Sequence, residues 1–389
     1  MKILHIANGD DCLGSARCLY ELLERELQEG IIPIVVTPTC NNMNKWCNDR
    51  NIENVSIKYY GFMYPMHDNF GMAKYFIRKK QYHKSINNAV NEIAKMIDLN
   101  TIDLIHTNNC LIDFGKKISD KYSIKHIWHL REGGIKPLFL KPYLKNYIPY
   151  MEAGNCKFLA VSLATRDEWI KLGIDKNRII TIYDGIEIHE LCQRSNNRKN
   201  LNIVMCGAIN ETKGQMMLVN ALSKLDGNIL KKIHVDIYGN CTKSYMKKLT
   251  KQIKKLNLEE VIIFKGFISN VWNVLGDYDV GINCTNFEAF GRVTIEYLMS
   301  GMPVIVSNTG ANPEIINNEK FGKVFKYGDI DDLAQSISFM LENICSYKKN
   351  DKILNKYAIK NYSIEKNSHK IIELFKNECL QSEDRGTIK

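Results

Sequence analysis

The chain has 389 residues, with 45% hydrophobic and 25% charged side chains and a net charge of +10. That length is enough for two ordinary domains, and the composition excludes disordered, collagenous and disulfide-rich classes. The basic balance fits an anionic substrate or an anionic membrane surface. Nucleic acid is the weaker option and is not expected as a partner, because no zinc-finger spacing, aromatic RNA-binding signature or long basic tract is present. Twelve cysteines are scattered without a Cys-x-x-Cys pair, which suits a reducing cytosol. No apolar run approaches the roughly 18 residues that span a bilayer, and the N-terminus turns acidic too early for a signal peptide. The expected location is cytoplasmic, soluble or peripheral at the inner membrane face.

In chain order, Lys2 to Ala7 reads as a strand, followed by a polar loop, Gly14-Ser15 and a helix from Arg17. This is the opening of an α/β domain, although the Gly-x-Gly-x-x-Gly fingerprint is missing. Ile32–Thr37 reads as a second strand and Val55–Tyr60 as a third. Lys74–Ile97 reads as a long helix, and residues 74–84 interleave lysine and arginine with aromatic and apolar residues. Two readings stay open there: an ordinary solvated face, or a basic amphipathic face on an anionic membrane. Asp103–Asn108 and His126–Leu130 read as buried strands, and His129, Arg131 and Glu132 emerge at the end of the second. Ligands of open parallel sheets bind beyond the carboxyl ends of strands, so these three are candidate site residues. Phe158–Ser162 and Ile179–Gly185 are further strand patterns, and 186–200 reads as a polar linker.

The second half repeats the strand, glycine loop, helix pattern. Leu201–Cys206 leads into Gly207, Lys213 and Gly214, then a helix from Gln215. Strands follow at Lys232–Gly239 and Val261–Gly266, the latter trailed by Phe267 and Ile268, and at Asp279–Asn283. Phe287 to Ile316 then carries the densest chemistry. Glu288 and Glu296 bracket Phe290, Gly291, Arg292 and Val293, and a helix starts at Gly291 or Arg292. The free N–H groups of that start form an anion seat beside two acceptor-only carboxylates. Pro303–Ser307 is a strand, Asn312 reads as the N-cap of a short helix, and Asp331–Asn343 and Lys352–Phe375 read as helices.

Glu288, Phe290, Gly291, Glu296, Gly301, Pro303, Val304 and Glu314 resemble the signature of family 4 retaining glycosyltransferases, a Glu-x7-Glu pattern followed by Gly-x-Pro-Val. The resemblance implies an α/β protein of the GT-B class, with two Rossmann-like domains whose parallel sheets face a central cleft. Residues 1–185 would form the acceptor-side domain and 201–360 the nucleotide-sugar domain. The stretch 361–389 would cross back to the first domain and end in a loose tail. It implies transfer, with retention, of a sugar from a nucleotide-diphosphate sugar, a UDP-sugar being favoured, to a hydroxyl of a glycan or lipid-linked acceptor. By the same resemblance Glu288, His129 and Lys213 are the catalytic group. Gly14, Gly207, Lys213, Gly239, Phe267, Ile268, Glu288, Phe290, Gly291, Arg292, Val293 and Glu296 would hold the donor. His129, Arg131 and Glu132 would face the sugar or acceptor. No cofactor and no metal are implied. The family's diphosphate-binding Arg is replaced by Ala208, its hinge Asn by Asp184, and one glycine of its first loop by Ser15. Alternatives are a non-catalytic GT-B partner subunit, a sugar-nucleotide epimerase and a glycosyl phosphorylase.

Overall fold

The structure, a computed structural model, describes residues 1–8, 14–66, 71–135, 139–192 and 200–380. The loop at 9–13, part of the expected linker (193–199) and the polar end (381–389) lie outside the described residues. The chain divides into two compact units, Met1–Gly185 with the segment from Ile364 onward, and Ile186–Ser363.

In the first unit the strands are β1 (Lys2–Ile6), β2 (Ile32–Thr37), β3 (Glu53–Ser56), β4 (Met63–Pro65), β5 (Leu104–Thr107), β6 (Lys125–Leu130), β7 (Leu140–Pro142), β8 (Cys156–Ala160) and β9 (Ile179–Thr181). Seven of them make a sheet in the order β3-β2-β1-β5-β6-β8-β9, and every pairing in it is parallel. β4 and β7 form a separate antiparallel pair. The near-continuous burial of β2, β5 and β8 follows from helices covering both sheet faces. Trp128 packs between Phe62 and Phe158 on one face. The other face is closed by the C-terminal helix Ile364–Leu380, which sets Ile371, Ile372 and Phe375 against Ile3, Leu104, Ile127 and Leu159.

Local signals explain most element ends. Ser162 caps the helix Leu163–Leu172 and Gly173, at φ 114°, closes it. The third strand is shorter and earlier than Val55–Tyr60. The expected helix Lys352–Phe375 is two helices, Asp351–Tyr362 and Ile364–Leu380, broken where Ser363 is extended. At the break Ile186 N–H donates to the Tyr362 carbonyl at 2.8 Å. A side chain on Gly185 would lie 2.3 Å from the Ile364 Cα. The two chain connections between the units therefore run side by side, and that close approach needs glycine.

The second unit has β10 (Leu201–Cys206), β11 (Ile233–Tyr238), β12 (Ile262–Gly266), β13 (Val280–Asn283), β14 (Val304–Ser307) and β15 (Gly322–Phe325). All are parallel, in the order β12-β11-β10-β13-β14-β15. The strand order reverses between β10 and β13, and the crevice at that reversal is where such sheets bind ligands. The helix Arg292–Met299 lies close over β13, since a Cβ on Gly281 would fall 2.1 Å from the Tyr297 ring. The Tyr297 hydroxyl accepts the Cys206 N–H at 2.8 Å, which ties this helix to the end of β10.

Truncating the fully buried Phe375 tests the role of the C-terminal helix. Phe375→Ala is expected to destabilise the first unit by about 3–5 kcal/mol, read as a lower urea midpoint. An unchanged midpoint would contradict this packing.

Candidate functional site

Two loops meet at the reversal point of the second unit, one after β10 and one after β13. In the first, the Asn210 side chain accepts the N–H groups of Thr212 and Lys213 and shapes the turn Glu211–Lys213. Gly214 follows at φ 78°, and a Cβ there would lie 2.1 Å from the Cys284 carbonyl oxygen. Only glycine combines that dihedral with that approach. Asn286 N–H then donates to the Thr212 carbonyl at 2.9 Å, so the two loops are joined by backbone.

This joining sets Lys213 Nζ 3.3 Å from Glu288 Oε2. Asn283, the last residue of β13, donates to the same carboxylate at 3.2 Å and to Thr294 Oγ1 at 3.0 Å. Glu288 is held from behind as well. Its carbonyl accepts the Ala311 N–H at 2.7 Å, and a Cβ on Gly310 would fall 2.0 Å from that same oxygen. Burial works against ionisation of Glu288. The Lys213 charge, with hydrogen bonds from Asn283, Lys213 and Thr285, outweighs it and holds the carboxyl below the usual range.

The helix Arg292–Met299 starts after Gly291, which sits at φ 87° and offers no capping side chain. Its first N–H groups therefore have no partner within the helix. Arg292 Nε lies 3.3 Å from Glu296 Oε1, one turn on. The Glu296 side chain is only 3% exposed, against 15% for Glu288 and 34% for Lys213. Two cation–carboxylate pairs thus stand at one helix N-terminus.

Other expected residues fall in different settings. Gly207, at φ 133°, is touched by Gly239, whose Cβ would lie 1.8 Å from the Gly207 oxygen. Phe267 is 62% exposed, so it is not core, and Ile268 is half-buried. With Gly239, Asn240, Lys243, Lys247 and Lys254, Phe267 lines an open groove of about 740 Å³. The Phe290 ring is buried against Tyr362, which leaves its backbone, not its ring, for a ligand. Val293 is half-buried in the first turn. The Ala208 carbonyl accepts from Gln215 Nε2 at 3.0 Å.

The Asn312 expectation needs correction. Ala311 holds the cap position, and the Asn312 side chain links Thr294 Oγ1 at 3.2 Å to Ser307 Oγ at 3.2 Å. Asn283, Thr294 and Asn312 are the site residues that sequence reasoning missed. An Asn at the end of an apolar strand was the available signal. The sequence also has Asp-x-Asp spacing twice, at Asp277-Tyr278-Asp279 and Asp329-Ile330-Asp331. Asp279 is engaged by the Asn202 N–H and by Lys348, and Asp329 caps the helix Ile330–Lys348.

In the first unit Gly14 opens the helix Gly14–Gln28 with open space where a Cβ would stand. His129 is fully buried at the end of β6. Arg131 does not point outward as a free cation. It pairs with Asp184 and donates from Nε to Asn108 Oδ1 at 2.9 Å. Burial opposes its charge, but Asp184 prevails and raises its pKa. Glu132 turns inward onto the Cys110 N–H at 3.2 Å and the Asn109 side-chain amide, and burial raises its pKa.

A family model described as glycosyl transferases group 1 matches residues 190–361. An uncharacterized glycosyltransferase of Methanocaldococcus jannaschii is 26% identical over 64% of this chain and 68% of its own length. The Escherichia coli UDP-Gal:alpha-D-GlcNAc-diphosphoundecaprenol alpha-1,3-galactosyltransferase is 21% identical over 69% of this chain and 74% of its own. The chain spans about half the length of several other curated relatives it matches. Among solved structures, Anabaena HepE in complex with UDP and glucose superposes with a TM-score of 0.79 at 19% identity, covering 97% of this chain and 100% of that one. The fold is GT-B, two Rossmann-like α/β units in one chain.

Folded Glu288 titrates below its unfolded value, so its ionised form stabilises the fold above the ordinary carboxylate range. That contribution is lost as pH falls through the lower folded value. Lys213→Met removes the largest opposing charge, and the Glu288 carboxyl is expected to titrate higher, followed by carboxyl-carbon NMR. A titration that stays in place would show that Lys213 does not control it.

Proposed function

Because the second unit carries a glycosyl transferases group 1 domain, we propose that this chain moves a sugar from a nucleotide-diphosphate sugar to a hydroxyl acceptor. The observation that carries the reading is the double pairing of Lys213 with Glu288 and Arg292 with Glu296 at the start of one helix. A diphosphate is the ligand whose charge would draw both cations, and the helix N-terminus adds N–H donors and a favourable dipole. On binding, partners are exchanged. Lys213 and Arg292 turn to the diphosphate, and the released Glu288 and Glu296 accept hydroxyls of the sugar and the ribose. Ala208 removes one cation from the usual set, which makes Arg292 the second one.

In this proposal the departing diphosphate is stabilised by Lys213, Arg292 and the first-turn N–H groups as charge builds on it. It needs no metal. Attack occurs on the face the leaving group vacates, with retention, and the leaving phosphate takes the acceptor proton. The exposed Phe267 covers the nucleobase, and main-chain groups at Gly239 read its edge. A uridine nucleotide is favoured, supported by the UDP bound in the HepE complex and the UDP-Gal in the name of the E. coli relative. A hexosyl or N-acetylhexosaminyl group fits the same reading.

For the acceptor we favour a lipid-linked glycan at the inner membrane face. The helix Gly71–Met96 buries Tyr75, Tyr82 and Ile86 and leaves Met72, Phe76 and Ile77 exposed beside Lys74, Arg78, Lys80 and Lys84. Exposed Phe139 and half-buried Lys141 extend the patch, since Lys141 Nζ approaches the Met72 sulfur at 3.5 Å. Apolar side chains within a basic rim suit an anionic bilayer surface. No helix among the described residues is long and apolar enough to cross a membrane.

The test is nucleoside diphosphate release from a panel of UDP-, GDP-, ADP- and dTDP-sugars with a chelator and a lipid-linked glycan acceptor. Release from one donor is expected, with Glu288→Gln lowering turnover by about 100-fold or more; unchanged turnover in that variant would sink the assignment. Separately, the protein is expected to sediment with phosphatidylglycerol vesicles, and Phe76→Ser with Ile77→Ser to abolish this. Equal binding by the double variant would remove the membrane reading.

A further inference from the structure

Three histidines lie side by side across the central strands of the first unit. His5 of β1 pairs in register with His106 of β5, and His106 pairs with Ile127 of β6, two residues before His129. Parallel register and the two-residue period put all three on one sheet face. All are fully buried, as is Glu26 on the helix above them. Their ring nitrogens form one unbroken series. Glu26 Oε2 lies 2.9 Å from His5 Nε2, His5 Nδ1 lies 3.0 Å from His106 Nδ1, and His106 Nε2 lies 3.0 Å from His129 Nδ1. Phe375 covers the row, its ring centroid 5.2 Å from that of His106.

A run of neutral imidazoles linked nitrogen to nitrogen has a direction. With His5 neutral as well, each ring has one N–H and one lone pair, so every ring must donate the same way. Burial, with neighbouring positive groups, lowers the pKa values of His106 and His129 and keeps both rings neutral. The two ends of the row then compete. At one end Glu26 is within hydrogen-bond distance. At the other, His129 Nε2 is 4.0 Å from Asp184 Oδ1 and has no hydrogen-bond partner among the described residues. Donation toward Asp184 would leave a buried N–H without an acceptor, the rarer and costlier kind of orphan. Donation toward Glu26 leaves unpaired acceptors only, at His129 Nε2 and at Glu26 Oε1. Arg131 Nη2, which can only donate, also approaches His129 Nδ1 at 3.4 Å and favours a lone pair there, but the 3.0 Å interval to His106 Nε2 is the shorter and takes the Nδ1 proton.

We propose that Glu26, His5 and His106 are positioning residues that fix His129 with its proton on Nδ1 and hold its Nε2 as a hydrogen-bond acceptor for a hydroxyl of the sugar being transferred. The 4.0 Å interval between Nε2 and Asp184 is the place such a hydroxyl would enter, donating to Nε2. The identity of the ligand rests on the transferase reading above; the direction of the row does not. An amide at position 26 can donate as well as accept, and with it the row can reverse. Each ring then passes its polarity on, and His129 presents an N–H in place of a lone pair.

The experiment is long-range proton–nitrogen NMR on the full chain labelled at histidine nitrogen, with His129 assigned by substitution. The unsubstituted protein is expected to show His129 neutral with the proton on Nδ1, and addition of UDP-glucose to shift its Nε2 resonance. A proton on Nε2 in the unsubstituted protein overturns the proposal without recourse to any variant. If Nε2 stays still at saturating nucleotide sugar, the sugar contact is overturned while the direction of the row stands. Glu26→Gln is expected to move His129 toward the Nε2–H form and to lower turnover on the order of 10-fold with donor KM little changed. A tautomer that ignores this substitution in a folded protein would also refute the relay. The tautomer signals are read without turnover, so failure of the relay and failure of the transferase assignment are distinguishable.

Discussion

A carboxylate taken out of water needs a cation or several donors, and Glu288 has both. Most of the local architecture of the second unit serves that requirement. Asn210 shapes the turn that carries Lys213 to it, Asn283 reaches it from the end of β13, and Gly214 and Gly310 let backbone close around it. The same arrangement leaves a helix N-terminus facing the pair, flanked by a second pair one turn on. The ion pairs hold the site in shape, and under the proposed function an anion would dissolve them, so stability and function would draw on the same four charges.

The first unit applies the rule with neutral groups. Its buried row of imidazoles is satisfied at one end by Glu26 and left open at the other beside Asp184 and Arg131. Arg131 and Glu132, which emerge where a ligand would be expected, are instead committed to Asp184, Asn108 and the backbone at Cys110. That commitment fixes Arg131 and Glu132, while His129 Nε2 has no hydrogen-bond partner among the described residues.

Much of this was legible in the sequence because local chemistry dictated it. Gly291 before a helical run gave the start at Arg292, and the strand, glycine loop, helix order gave the α/β class. What needed sheet order or register was not legible. No local signal says that β10 neighbours β13, so the meeting of Lys213 with Glu288 could come only from the family resemblance. His5, His106 and His129 each look like a polar residue inside an apolar strand, and only the register joins them. Asn312 was misread for a related reason. Its chemistry suits a cap, but Thr294 and Ser307 compete for the side chain and win. Phe267 could not be told from core because exposure depends on what packs above the loop.

The central claim is that the two ion pairs at the start of the helix Arg292–Met299 form a diphosphate seat. Calorimetric titration with UDP in the presence of chelator tests it most directly. Saturable binding is predicted, weakened at least about 10-fold by Lys213→Met and again by Arg292→Met, as expected for lost charge-assisted hydrogen bonds. UDP binding that neither substitution disturbs would contradict the account and place the nucleotide elsewhere.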